Sequence, residues 1–174
     1  NLIAGCINNE RWAQKKLYED NYPAMMTLSM RYAGNNDDAL DILHESFIKV
    51  FKNIHKYQTG TSINAWIRKI VINTSIDFYR RDLRRKSEEL DVASYVNTDI
   101  PDAVSNLSSE EILKALQRLP YSYRSVFNLY VIEGYSHKEI AEMMNINEST
   151  CRSNLVKART KLKDILLAFD SDWR

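Results

Sequence analysis

The residues best suited to chemistry lie near the end of the chain, where polar and basic side chains recur without acids. Residues 151–163 contain five cations and no acid. The stretch includes four side chains of the kinds that hydrogen-bond base edges and phosphates: Arg152, Ser153, Asn154 and Lys157. It therefore predicts a surface that can bind nucleic acid. The alternative, a solvated basic face of an ordinary helix, remains open on this stretch alone.

The flanking segments predict how this surface is presented. SHKEIAEMM (136–144) indicates a helix, NIN (145–147) a turn, and ESTCRSNLVKARTKLK (148–163) a second helix. Ser136 and Glu139 have the spacing of a capping box, and Asn147 can cap the second helix. Two crossed helices would bury a shared seam of Ile140, Met144, Ile146, Cys151 and Leu155. This pattern is typical of a helix-turn-helix, whose second helix enters the major groove of DNA.

A second candidate surface lies on a predicted helix at 62–85. One stripe is predicted to face inward and consists of Ile67, Ile70, Val71, Thr74 and Phe78. Another is predicted to form an exposed ridge of Trp66, Lys69, Asn73, Ile76 and Arg80, which Arg81 extends with further charge. A tryptophan, an amide and cations on one ridge can stack on bases and bind phosphates. The alternative is that Trp66 is buried against the preceding helix and that the arginines only keep the helix end soluble.

Charge is strongly segregated along the chain, although the net charge is only +1. Residues 67–86 carry seven cations against two acids, and residues 87–111 carry seven acids and no cation. Two basic blocks separated by an acidic one predict two contact surfaces for a polyanion. Because phosphate neutralisation supplies most non-specific affinity for DNA, a chain this close to neutral should bind DNA weakly on its own. We therefore expect it to need a protein partner.

Other classes of site have little support in the sequence. Cys6 and Cys151 do not suggest a disulfide framework, which is compatible with a reducing cytoplasm. His44 and His55 could share a helix side but would lie roughly 16 Å apart, too far to share a metal. No apolar run approaches the about 20 residues of a membrane-crossing helix, so we expect no membrane insertion. We expect no catalytic residues, no metal and no cofactor.

The chain is predicted to be all-α, with two small helical domains joined by an acidic linker. The domains are predicted at residues 1–86 and 107–174, with the linker at 87–106. Extended, these 20 linker residues reach at most roughly 70 Å. Helices are predicted at 8–20, 23–33, 37–56, 62–85, 108–118, 121–133, 136–144 and 148–168.

The predicted helix at 37–56 has two distinct faces. Its core face should contain Leu40, Leu43, Phe47, Val50 and Ile54. The opposite side combines acidic and apolar residues that a basic partner could use, namely Asp41, His44, Glu45 and Ile48. An ordinary solvated face would give the same pattern.

Two segments together resemble the sigma-70 family of bacterial RNA polymerase sigma factors. DDALDILHESFIKVF followed by AWIRKIVINTSIDFYRR is similar to the polymerase-binding and promoter-melting helices of that family. LQRLPYSYRSVFNLYVIEGYSHKEIAEMMNINESTCRSNLVKARTKLK is similar to its module for the −35 promoter element. The short length, with no domain between the segments, resembles the extracytoplasmic-function (ECF) group. The resemblance runs from about Asn8 to Leu167.

The resemblance implies a role for each surface. The chain would bind core RNA polymerase in the bacterial cytoplasm, direct it to promoter DNA and open the duplex, and an anti-sigma factor would be a further partner. Polymerase binding is implied for Asp41, His44, Glu45, Phe47 and Phe51, although Phe47 is also predicted to be core. Contact with the −10 element is implied for the loop of Tyr57, Gln58, Thr59, Gly60, Thr61, Ser62, Ile63 and Asn64, and for Trp66, Lys69, Asn73, Arg80 and Arg81. Contact with the −35 element is implied for Ser149, Thr150, Arg152, Ser153, Asn154 and Lys157.

Two questions remain open on the sequence. The acidic linker resembles the segment that enters the RNA exit path of the polymerase, but a flexible tether explains its composition equally well. A self-sufficient repressor, with a sensor or dimerisation domain in its N-terminal half, is a different class of function. It would require dimer symmetry and tight binding to duplex DNA alone, and the low net charge and the ridge with Trp66 argue against it.

Overall fold

All regular structure in the described part of the chain is helical, which confirms the predicted all-α class. The computed structural model describes residues 1–87 and 109–171, so nearly all of the predicted linker lies outside the described residues. The helices are α1 (Leu2–Ile7), α2 (Arg11–Tyr32), α3 (Asn36–Asn53) with a 3-10 turn (Ile54–Lys56), α4 (Ile63–Ser87), α5 (Ser109–Gln117), α6 (Tyr121–Phe127) with a π turn (Asn128–Ile132), α7 (His137–Met144) and α8 (Glu148–Ser171).

The chain divides into two compact units, Asn1–Phe78 and Tyr79–Arg174, and the division falls within α4. Each unit has its own set of buried apolar side chains. The predicted domain limits at residues 86 and 107 remain predictions, because the structure does not describe residues 88–108.

The first unit corrects the predicted break between helices 8–20 and 23–33. These are one helix, α2, with Pro23 in its interior. Proline removes one backbone hydrogen bond and usually interrupts a helix. Here the buried face runs past it, through Leu17, Asn21, Met25 and Leu28, so packing against α3 holds both halves in line. Helix α1, which the sequence pattern did not predict, packs on α2 so closely that a Cβ at residue 5 would lie 2.7 Å from that of Ala13.

In the second unit, α5 and α6 pack against α8, and the buried cluster joining α5 to α8 consists of Ala115, Leu116, Leu119, Ala158, Leu162 and Leu166. The predicted helix at 121–133 is α-helical only to Phe127 and then widens into the π turn. Glu133 donates its backbone N–H to the Asn128 oxygen at 2.9 Å, five residues back. Leu129 stays fully buried within this turn, whereas Val131 and Ile132 are exposed.

Candidate nucleic-acid interface

The helix-turn-helix of the second unit is held by caps that the sequence predicts. Ser136 accepts a hydrogen bond from the Glu139 N–H, and the Glu139 carboxylate accepts one from the Ser136 N–H at 2.8 Å, so the predicted capping box is confirmed. These hydrogen bonds hold the pKa of Glu139 below its usual value. Asn145 ends α7 in the left-handed conformation, with φ at 54°, a geometry that asparagine tolerates better than most residues.

The predicted seam between α7 and α8 is largely confirmed. Ile140, Met144, Cys151 and Leu155 are buried, and Ile146 is half-buried. Nδ1 of His137, the first residue of α7, lies 3.3 Å from the Cys151 sulfur. Cys151 is fully buried in this seam, and burial raises the pKa of its thiol, which disfavours the reactive thiolate.

The opposite face of α8 carries the residues implied for the −35 element. Ser149, Thr150, Arg152 and Ser153 are exposed, whereas Asn154 and Lys157 are half-buried at its edge. An exposed row of four polar side chains on the N-terminal half of the second helix has the placement from which recognition helices contact bases.

Two further residues on this face were missed by the sequence interpretation. Val156 is 63% exposed and lies one turn after Arg152. The sequence did contain a signal for it. Val156 is an apolar residue four positions after Arg152, and the buried seam of Cys151 and Leu155 does not include that position. Glu148 forms an ion pair with Arg152 across one turn. Glu148 is the only acid in residues 148–163, and this could have been noticed in the sequence.

In the first unit, the loop implied for the −10 element forms an ordered turn. The Thr61 N–H donates to the Gln58 oxygen at 3.3 Å, and the Thr61 hydroxyl donates to the same oxygen at 2.8 Å. Gly60 occupies the third position of this turn with φ at +97°, which suits glycine. The Tyr57 hydroxyl donates to the Thr61 carbonyl, and the Tyr57 ring lies 5.7 Å from the Trp66 ring. Every loop residue from 58 to 62 is exposed, and Asn64 is exposed as well.

An open groove of about 420 Å³ lies beside this loop, between the end of α3 and α4. From α4 it is lined by Trp66, Ile70, Asn73, Thr74 and Asp77, and from the other side by Lys49, Asn53 and Lys56. Asp77 is the acid of this set, and its carboxylate lies 3.7 Å from the Lys49 ammonium group. The groove thus combines an aromatic ring, amides and ammonium groups, the side-chain types that bind unpaired nucleotides. The hydroxyl of Thr74 is buried and has no hydrogen-bond partner among the described residues.

The predicted ridge of α4 is only partly exposed. Lys69, Asn73 and Arg81 are exposed, and Trp66 and Arg80 are half-buried. Ile76, which was predicted to lie on the ridge, is 2% exposed, so that assignment was wrong. The reason is that the buried side chains of α4, which include Ile67, Ile72 and Ile76, cover a wider angle around the helix axis than the single inward stripe that was expected. Ile70 and Phe78, predicted to face inward, are half-buried.

The surface of α3 that the resemblance assigns to polymerase is mixed in character. Asp41 and His44 are exposed, and Ile48 is 54% exposed. Glu45 is half-buried and forms an ion pair with Lys49 at 3.1 Å.

Of the two phenylalanines assigned to the same contact, Phe47 lies in the core at 3% exposure. It packs edge-on against Tyr18, with ring centroids 4.7 Å apart. Its predicted core role is therefore confirmed, while direct contact with a partner is incompatible with this burial. Phe51 is half-buried and lies at the margin of the surface. Leu40, also predicted to be core, is half-buried.

Within residues 1–87 and 109–171, no group of three or more His, Cys, Asp or Glu side chains could hold a metal ion. None of the helices in that part of the chain is long and apolar enough to cross a membrane. Both cysteines are free and buried.

Two family models of known proteins match the regions of the chain that contain the candidate surfaces. The family model described as "Sigma-70 region 2" matches residues 17–85, which include the α3 surface, the loop and the groove. The model described as "Sigma-70, region 4" matches residues 109–162, which include the helix-turn-helix.

Two sequence relatives and one solved structure illustrate the similarity. The ECF RNA polymerase sigma factor SigE of Mycolicibacterium smegmatis is 32% identical over 151 residues, covering 83% of this chain and 58% of that protein, so the chain spans under two thirds of its length. The RNA polymerase sigma factor SigZ of Bacillus subtilis is 31% identical over 134 residues, or 75% of each chain.

The solved structure is that of the sigma factor RpoE from Bartonella quintana in complex with the anti-sigma factor NepR. Its sigma factor is 21% identical to this chain with a TM-score of 0.53, covers 87% of this chain and 95% of its own, and shares the fold. The two matched regions occur in the expected order, and the similarity to SigZ extends over three quarters of both proteins. The chain therefore belongs to the sigma-70 family of RNA polymerase sigma factors, which are transcription initiation factors, and to its extracytoplasmic-function group.

Proposed function

We propose that this chain binds core RNA polymerase in the bacterial cytoplasm and directs it to promoters with −35 and −10 elements, where it helps to open the duplex. The observation that supports the proposal is that one chain has two chemically different surfaces whose side chains suit nucleic acid. The polar face of α8 suits a duplex groove, whereas the groove beside the Gln58–Thr61 turn suits unpaired bases.

On α8, three side chains on or at the edge of the outward face favour particular base contacts. Arg152 can bind a guanine through two hydrogen bonds, and Asn154 can bind an adenine in the same way. Val156, as an exposed apolar side chain, suits contact with a thymine methyl group. We propose that these three residues read the −35 element, with Ser149, Thr150, Ser153 and Lys157 contacting bases and phosphates around them.

At the −10 element, melting requires no bond chemistry, only a site that binds unpaired bases better than paired ones. Unstacking a base costs a few kcal/mol, which a fitted pocket and a basic groove can offset. Asn73 and Trp66 line the groove from α4, and Lys56 lines it from the other side. We propose that the groove holds the displaced strand, while the exposed loop receives a flipped base.

Polymerase binding is assigned to the exposed face of α3. Asp41, His44 and Ile48 present an acid, an imidazole and an apolar side chain that no element of the described residues covers. Phe47 lies beneath this face and contributes by packing. The Bartonella relative was crystallised with an anti-sigma factor, and we propose that an inhibitor of this class also binds this chain.

Pull-down of core polymerase, followed by run-off transcription with and without the chain, tests the proposal. We expect specific transcripts only when both are present. Asp41→Lys should abolish association, since a like-charge contact across an interface costs several kcal/mol. Glu19→Lys makes the same charge change at an exposed position of α2 and is the matched control. Undiminished co-purification of Asp41→Lys would remove α3 from the interface.

The two DNA surfaces can be separated by one variant in each. Arg152→Ala should weaken recruitment of holoenzyme to duplex promoter by about 1–3 kcal/mol. Asn73→Ala should leave recruitment largely intact but slow strand opening, measured by permanganate reactivity of thymines. A pre-opened bubble template should rescue Asn73→Ala more than Arg152→Ala. Identical defects on duplex and bubble would contradict the division of labour, and tight sequence-specific binding by the chain alone would favour a repressor.

A further inference from the structure

The exposed face of α8 carries an ion pair between an acid and a residue proposed to read DNA. Glu148, in the first turn, pairs with Arg152 one turn later. Both side chains are exposed, Glu148 at 46% and Arg152 at 62%, so the pair lies on the surface that is proposed to enter the major groove. An acid at such a position is unexpected, because it repels the phosphates on either side of the groove.

We propose that Glu148 is a specificity-determining positioning residue that acts through Arg152. Its carboxylate orients the planar guanidinium toward the base edge, where two parallel hydrogen bonds to a guanine can form. Its negative charge also disfavours the competing arrangement, in which Arg152 swings to a phosphate and carries no sequence information. This inference rests on the proposed function, since it requires that α8 reads duplex DNA.

The geometry makes this assignment more specific than a general effect of charge. In an α-helix, side chains four residues apart lie on the same face, and a glutamate that precedes its basic partner by four residues is the favoured order. Glu148 therefore shares the outward face with Arg152 and Val156, not the buried face that carries Cys151 and Leu155. A first-turn acid also stabilises its own helix through the helix dipole. The test must separate that effect from positioning.

A matched pair elsewhere in the unit provides this separation. Glu110, in the first turn of α5, pairs with Lys114 at 2.9 Å and is likewise exposed. Glu110→Ala therefore removes a first-turn acid and an i,i+4 pair away from the recognition face. Glu148→Asp provides a second comparison, because it keeps the charge near the helix start but shortens the reach to Arg152.

The experiment uses holoenzyme formed from the full chain and core polymerase. A duplex pool with randomised upstream sequence is selected with the wild-type holoenzyme. A selection with Arg152→Ala identifies the position at which this variant loses its base preference. Binding is then measured on the selected duplex and on duplexes that carry each of the other base pairs at that position. We expect Glu148→Ala and Glu148→Asp to lower the preference for the selected base pair by about twofold to fivefold, the range of an exposed ion pair. Glu110→Ala should leave that preference unchanged.

Two results would overturn the inference while leaving the proposed function intact. One is that Glu148→Ala keeps the wild-type preference while Arg152→Ala loses it. The other is that Glu110→Ala lowers the preference as much as Glu148→Ala, which would make the loss of any first-turn acid, and not the positioning of Arg152, the cause. If the wild-type holoenzyme selects no upstream sequence, the reading of DNA by α8 fails, and the role of Glu148 fails with it.

Discussion

Replacing Gly60 by alanine is the most direct test of the loop beside the groove. Gly60 has φ at +97°, and a Cβ at this position would meet no atom of the described residues within 4 Å. The substitution therefore adds no collision, and its cost is that of a left-handed backbone, about 1–2 kcal/mol for an L residue. A cost of this size lowers the population of the observed turn by about fivefold to thirtyfold. We expect the turn between Gln58 and Thr61 to rearrange and to lose its Thr61-to-Gln58 hydrogen bonds.

The assay follows promoter opening by permanganate reactivity at saturating holoenzyme, so that recruitment is not limiting. Gly60→Ala should slow opening of duplex promoter, up to the factor by which the native turn is depleted. A bubble template should restore part of the loss, because its bases are already unpaired. Core α-helical content and polymerase binding should remain at wild-type values, since all loop residues from 58 to 62 are exposed.

The second unit supplies a control with the same backbone strain. Gly134 has φ at +79° and also has open space around its Cβ position. Gly134→Ala should therefore carry a similar conformational cost while leaving the loop at 58–62 unchanged, and opening should proceed at the wild-type rate. Equal slowing by both variants would show that general strain is responsible. A wild-type opening rate for Gly60→Ala would refute the role assigned to the turn.

Three other predictions concern buried and capping groups. Thr74→Val removes a buried hydroxyl without a partner in the described residues, so urea unfolding should show unchanged or increased stability; a clear loss of stability would contradict the absence of a partner. Because folding lowers the pKa of Glu139, its stabilising effect is present above pH 4.5 and is lost as the pH falls through the pKa of the folded state. The unfolding free energies of the wild type and Glu139→Gln should therefore converge in acid. A constant difference between them down to pH 2 would contradict this. Burial raises the pKa of the Cys6 and Cys151 thiols, so neither should react with an aromatic disulfide reagent until the chain is unfolded; rapid labelling of the native chain would contradict their burial.

The parts of the fold that follow local rules could be predicted from sequence. The Ser136–Glu139 capping box and the seam residues Ile140 and Leu155 depend on spacing within a few residues, and the structure confirms them. The break expected before Pro23 was wrong, because the cost of one lost hydrogen bond is local whereas the buried stripe that offsets it extends along α2. Sequence spacing does not show how much packing lies on either side of a proline.

The candidate site shows the same limit. The exposed face of α8 could be predicted, because one seam fixes which side of the helix is buried. The ridge of α4 could be predicted only in part, because α4 buries a wide arc and Ile76 falls inside it. The Glu148–Arg152 pair uses residues whose spacing was visible, but its significance depends on knowing that both lie on the outward face.

Both surfaces proposed to bind nucleic acid contain a cation that already forms an ion pair with an acid of the same unit. Lys49, which lines the groove, lies 3.1 Å from Glu45 and 3.7 Å from Asp77, and Arg152 is paired with Glu148 on α8. A phosphate must compete with these carboxylates, which lowers affinity for DNA of any sequence. A base edge or a flipped base can also form hydrogen bonds with Asn154 or Asn73. Its binding free energy is therefore less dependent on the paired cation than that of a phosphate. The pairing thus provides a physical reason for the expected behaviour, in which the free chain binds DNA weakly and specific binding requires the polymerase.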